Sequence, residues 1–213
     1  MVHPWDAVTD ERWRAWLADG HDFGTLIVAG RERQVPVVVP THFVFRPDPD
    51  TVLLHLARPN PVWAALAENP TVVLSVIGEY VYVPTSWNAD PGTPPTDGVP
   101  TSYYTAVQLI GDAEVLDDPR RKAELLTEQL GHFQPEGGHA AVSASGSPYA
   151  RSLPGIRGVR IAVTQVVAKM KYGGNKTPAH RVEITQHLAE RAGPMDLLAR
   201  AYVLELDPLV AEG

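Results

Sequence analysis

His55-Leu-Ala-Arg-Pro-Asn-Pro-Val-Trp63 ends an apolar, strand-like run with a basic, amide-rich turn and immediately starts a helix. Before the turn, Thr51 to Leu56 alternates and is rich in β-formers. Asn60 is a good N-cap and Pro61 suits the first helical position, so free backbone N–H groups and the Arg58 guanidinium are expected to converge where the strand stops. A phosphate is held in this way. On spacing alone, a solvated strand–helix turn explains the same residues.

Outward from that turn, the chain reads as a meander of strands. Phe23 to Ala29 and Gln34 to Phe45 are expected as strands around the turn Gly30-Arg-Glu-Arg33, and Thr51 to Ala57 follows a second turn, Arg46-Pro-Asp-Pro-Asp50. Asn60 to Asn69 reads as a short helix that Pro70 stops before the β-branched run Thr71 to Val83. Thr101 to Leu116 and Ile156 to Tyr172 complete about six strands. Helices are expected from Thr9 to Gly20 with Trp13, Trp16 and Leu17 on one face, from Asp117 to Gly131, and in two stretches after Pro178 and Pro194. Ala89 to Pro100, with four prolines and two glycines, and the Gly/Ser-rich segment Phe133 to Tyr149 are loops placed to shape a substrate pocket. About six antiparallel strands with peripheral helices match a closed barrel, a mainly β fold.

The length of 213 residues fits one domain over 1–213, with a helical extension from about 178 to 213. There are no cysteines, which excludes disulfides, thiolate metal sites and cysteine catalysis. The first residues lack a basic n-region and an apolar h-region, and no apolar run approaches the ~20 residues that span a bilayer, so a soluble cytoplasmic protein is expected. A formal net charge of −7 opposes the generic attraction on which DNA-binding domains rely, and no helix-turn-helix, zinc-finger or RNP-like pattern is present. No metal site is expected: of eight histidines, only His180 and His187 share a helix face.

Three later segments make the opening turn specific. They are Tyr82-Val-Pro-Thr-Ser-Trp87, Val99-Pro-Thr-Ser-Tyr-Tyr104 and Lys169-Met-Lys-Tyr-Gly-Gly-Asn175. Together and in this order, from about Pro4 to the helix beyond Asn175, the four segments resemble the FMN-binding negative transcriptional regulator family, the PaiB-type proteins. Those belong to the FMN-binding split-barrel superfamily, with the pyridoxamine 5′-phosphate oxidase-like flavoproteins. The resemblance implies a six-stranded Greek-key-like split barrel that holds FMN at the interface of a homodimer.

FMN requires cations and N–H donors for a dianionic phosphate and aromatic cover for its ring. In the resemblance His55, Arg58 and Asn60 serve the phosphate and ribityl end, and Thr101 and Ser102 add hydroxyls there. Trp87 and Tyr103 cover the ring; read without the family they are ordinary barrel aromatics. Lys169 and Lys171, two apart on a strand, share one face, and Gly173-Gly174-Asn175 permits close backbone approach beside them. Main-chain contacts from Pro40 and Thr41 rank below these.

The family's Lys-x-Lys-Leu-Ser-Gln-Asn stands here with Tyr172-Gly173-Gly174 in place of Leu-Ser-Gln, and its Val-Pro-Thr-Trp-Asn-Tyr with Ser102-Tyr103 in place of Trp-Asn. Anion-binding residues are kept while hydroxyl and amide contacts are lost. The leading expectation is a redox-competent flavoprotein, as an FMN-dependent oxidoreductase whose catalytic residues the sequence does not identify. A flavin- or ligand-sensing transcriptional regulator is the second, and a split-barrel protein using a deazaflavin, haem or no cofactor the third.

Overall fold

The computed structural model describes residues 2–205; the end of the expected C-terminal extension, residues 206–213, lies outside them. The strands are β1 (Phe23–Val28), β2 (Val37–His42), β3 (Val44–Arg46), β4 (Thr51–Ala57), β5 (Thr71–Val83), β6 (Thr101–Leu116) and β7 (Ile156–Lys171). They form one sheet in the order β2-β1-β5-β6-β7-β4-β3. The pairs β1/β2, β1/β5, β3/β4 and β4/β7 are antiparallel.

The sheet has seven strands rather than six because the run expected from Gln34 to Phe45 serves two neighbours. Its first half pairs with β1 as far as Phe23↔His42, and its second half pairs with β4 from Val44↔Leu53 onward. Phe43, fully buried, leaves the ladder and donates its N–H to the Asp22 carbonyl at 2.8 Å. One residue thus joins the two strands at opposite ends of the sheet order, and the order runs round into itself as a barrel requires. The His42 and His55 rings meet across that seam, centroids 5.3 Å apart.

Among the described residues six α-helices accompany the strands: α1 (Asp10–Ala18), α2 (Val62–Glu68), α3 (Thr85–Asn88), α4 (Pro119–Phe133), α5 (Pro178–Arg191) and α6 (Asp196–Glu205). Their starts obey local chemistry. The Asp118 carboxylate accepts from the Arg120 and Arg121 N–H groups, and the Thr177 hydroxyl accepts from His180 N–H. Trp13, Trp16 and Leu17 form the buried face of α1, as their spacing predicts. Among the described residues no helix is long and apolar enough to cross a membrane.

The chain gathers into two compact units. One comprises residues 1–10, 77–107 and 168–213, and the other residues 11–76 and 108–167. Each long strand, β5, β6 and β7, contributes to both. In the second unit the core includes Leu26, Val52, Leu54, Leu74 and Ile161; in the first it includes Val83, Tyr103, Tyr172, Ile184 and Leu188.

Candidate functional site

Within the first unit, the period-two alternation of two strand ends assembles a basic cavity of about 400 Å³. Lys169 and Lys171 line it from the end of β7, with Met170 between them buried on the other face. Thr101 and Tyr103, also two apart, line it from the start of β6. Lys171 Nζ donates to Thr101 Oγ1 at 2.6 Å across 70 residues of sequence. Asn175 and Lys176 close the rim beyond β7.

The charges in this cavity are unevenly neutralised. Lys169 Nζ lies 3.6 Å from the buried Asp6 carboxylate. Lys176 Nζ donates to the Asn88 carbonyl at 3.1 Å and to Asp90 at 3.0 Å. Lys171 instead meets the neutral Thr101 hydroxyl, so its charge faces the cavity without a carboxylate at that contact.

Tyr103 is almost fully buried and its hydroxyl has no hydrogen-bond partner among the described residues. Burial pushes the phenol's pKa well above its ordinary value, against the opposing pull of the Arg181 guanidinium and with further help from Asp6. It therefore remains a protonated donor at any ordinary pH. Its place depends on Gly173: a Cβ there would lie 2.3 Å from the Tyr103 oxygen, and Gly173 holds φ +78°. At Gly174 a Cβ would meet the Trp5 carbonyl oxygen, again at 2.3 Å. The two glycines that replace Ser-Gln of the resembling family are thus both sites of close approach.

The other expected residues lie elsewhere. Ser102, out of phase with its neighbours on β6, is not among the residues lining the cavity. Neither is Trp87, whose ring stacks on His187 at 4.9 Å and 12° and carries the Arg191 guanidinium 4.6 Å from its centroid. His55, Arg58 and Asn60 belong to the second unit. There Nδ1 of His55 is 2.6 Å from Gln129 Oε1. Arg58 presents its fork to Asp117 at 2.5 and 3.2 Å and donates Nε–H to the Pro154 carbonyl at 2.6 Å.

The free N–H groups expected at the turn are also used. Arg58 N–H bonds the Gly155 carbonyl at 2.8 Å, and Val62 N–H bonds the Asn60 side chain at 3.0 Å. The turn before β7 supplies that carbonyl, a long-range partner that no local pattern announces. Sequence reasoning also missed His3, Trp5, Asp6 and Asn88, all of which line the basic cavity.

Residues 1–165 match the model of the family described as "Putative FMN-binding domain". No curated protein matches the chain. Among solved structures, a FAD and heme binding protein from Mycobacterium smegmatis is similar at TM-score 0.58 and 20% identity, over 79% of this chain and 74% of that one. A "putative 5-nitroimidazole antibiotic resistance protein" from Bacteroides thetaiotaomicron VPI-5482 is similar at TM-score 0.57 and 16% identity, over 77% and 85%. The flavocytochrome Anf3 from Azotobacter vinelandii follows at TM-score 0.55 and 19% identity, over 79% and 74%. At these identities the likeness is one of fold: an antiparallel sheet with peripheral helices of the flavin-binding split-barrel kind.

Proposed function

The chain belongs to the FMN-binding family that its residues 1–165 match, and on that premise we propose that it is a PaiB-type FMN flavoprotein, redox-competent as an oxidoreductase and active as a homodimer. The observation that carries the reading is the cavity in which Thr101, Tyr103, Lys169, Lys171 and Asn175, drawn from two separate motifs, come together.

The residues present fit an anionic cofactor. Three ammonium groups line the cavity, Lys171 is bound to a hydroxyl rather than a carboxylate, and the buried Tyr103 hydroxyl is an unpartnered donor. Lys169, Lys171, Asn175 and the Thr101 hydroxyl would hold the phosphate and ribityl end through charge-assisted hydrogen bonds. The Arg58 turn is the weaker anion site, because a phosphate there competes with Asp117 for the guanidinium fork. FMN, when bound, supplies hydride and electron transfer. The chain's part is to bind, orient and shield.

The homodimer finds support in Ile77, Tyr80 and Tyr82 of β5, which are 69%, 57% and 49% exposed in the single chain. An isologous interface covers residues of this kind and would create two equivalent sites. Direct DNA binding gains no support from a net charge of −7.

The test is the visible spectrum of the purified protein before and after addition of FMN and a chemical reductant. Flavin bands that bleach and return in air are expected. A protein that stays colourless and leaves FMN fluorescence unchanged would sink the reading, and light scattering that gives only monomer would sink its dimeric part.

A further inference from the structure

One wall of the lysine cavity is the chain's own first turn. His3, Trp5 and Asp6 all line it. The His3 and Trp5 rings stack with centroids 4.7 Å apart and planes 6° from parallel, yet the indole remains 46% exposed.

This turn closes on itself through one hydrogen bond and is anchored to the rest of its unit at three points. Asp6 N–H bonds the His3 carbonyl at 2.9 Å. Ala7 bridges Lys169 on β7. The Asp6 carboxylate, 2% exposed, sits 3.6 Å from Lys169 Nζ. The Trp5 carbonyl packs where Gly174 lacks a Cβ. A buried carboxylate and a required glycine are costly means of holding a half-exposed indole, unless that indole has a ligand to cover.

We propose that the N-terminal turn is a cofactor-binding element in which the stacked His3 and Trp5 rings cover the flat ring of the bound flavin, with Asp6 as the positioning residue that fixes them beside Lys169. The inference rests on the reading of this cavity as the flavin site. The ligand chemistry follows from two features in one cavity: ammonium groups for an anionic tail, and a flat aromatic pair for a planar head. Aromatic stacking of this kind corresponds to about tenfold in affinity.

The experiment is a titration of the full chain with FMN, following flavin and tryptophan emission together, in wild type, Trp5→Ala, Trp5→Phe, His3→Ala and Lys171→Met. Trp5→Ala is expected to weaken FMN binding about tenfold and to leave the bound flavin more emissive, because the stacked indole quenches it. Trp5→Phe restores most of the affinity, and His3→Ala gives a smaller loss in the same direction. Neither ring is part of the buried core, so thermal unfolding of the free variants should match wild type; His3→Ala, the less demanding change, keeps the test alive should Trp5→Ala fail to fold. If wild type binds FMN, Lys171→Met weakens it, and the Trp5 and His3 variants bind and quench as wild type does, the ring assignment falls while the flavin site stands. If wild type ignores FMN, both fall.

Discussion

Replacing Gly173 by alanine tests whether the glycine substitutions at the cavity exist to make room for Tyr103. Gly173 holds φ +78°, where an L-residue costs about 1–2 kcal/mol. Its Cβ would also sit 2.3 Å from the Tyr103 oxygen and 3.1 Å from Cζ. The phenol is 1% exposed, so it must give by about 1 Å inside a packed wall, at a typical overpacking cost of about 1–3 kcal/mol. A total near 3 kcal/mol lowers Tm by roughly 6–12 °C in a chain of this size. Tyr103→Phe alone removes a hydroxyl that has no partner, so stability should hold or rise by up to about 1 kcal/mol. In the double variant the oxygen is gone and only the backbone strain and the milder Cζ contact remain. The two changes should therefore couple by about 1–3 kcal/mol in a double-mutant cycle measured by denaturant unfolding. If the losses simply add, the close approach is not what demands glycine, and the reasoning fails. FMN affinity gives an independent reading of the same oxygen: Tyr103→Phe should weaken binding about tenfold if the hydroxyl donates to the ligand.

Lys171→Met removes the ammonium that Thr101 orients, so FMN affinity should fall ten- to hundredfold, for a charged hydrogen bond of about 1.5–3 kcal/mol, and its salt dependence should slacken; an unchanged Kd at two ionic strengths would remove the lysine from the anion site. His42 has its pKa lowered, first by burial, then by His55, against the pull of Asp22. Its folded form therefore binds fewer protons than the unfolded chain below about pH 6.5, and stability should decline as pH falls through the histidine range. Thermal unfolding between about pH 5 and 7 should show that slope flattened in His42→Asn, and an undiminished slope would locate its origin elsewhere. Asp196 has its pKa lowered, chiefly by the Arg191 hydrogen bonds at 2.6 and 2.8 Å. Its contribution is present above the ordinary carboxylate pKa of about 4 and is lost as pH falls through the lower folded value. Asp196→Asn should cost about 1.5–3 kcal/mol at pH 7 and reduce the acid sensitivity below about pH 4.

Period-two alternation made β1, β5 and β6 legible, because each buries one face over much of its length; β4, buried on both faces from Thr51 to Leu54, was legible from its β-forming residues and bounding turns instead. The break at Phe43 was hidden: a continuous β-rich run says nothing about which neighbour each half pairs with, and that choice is what turns six strands into seven. In the cavity, Lys169 and Lys171 were legible as residues two apart on one strand face, while Thr101 and Tyr103 were singled out through the family resemblance. The surroundings of the Arg58 turn were not legible, since a basic turn before a helix looks alike in sequence whether or not its donors also meet Asp117, Pro154 and Gly155, as they do in the folded chain. Those partners lie far away in sequence, so only the folded chain reveals that the donors are already engaged.

The departures at Tyr103 and Tyr172-Gly173-Gly174 are linked by their contacts in the folded chain. Read singly, each looks like a loss: an amide gone, a hydroxyl gone, a second amide gone. In the folded chain Tyr103 reaches into the space that Gly173 leaves, Tyr172 turns its hydroxyl to Thr105 at 2.9 Å in the buried interior, and Trp5 brings its carbonyl against Gly174. The bulk of Tyr103 and of the Trp5 main chain thus fills the space that Gly173 and Gly174 leave, as close packing requires. Enlarging either glycine alone should then displace its neighbour. Gly174→Gln in particular would press on the Trp5 carbonyl and so disturb the N-terminal turn without touching a lysine. Its expected signature is unchanged dependence of FMN binding on salt together with a weaker affinity, a pattern that separates damage to the aromatic wall from damage to the anion site.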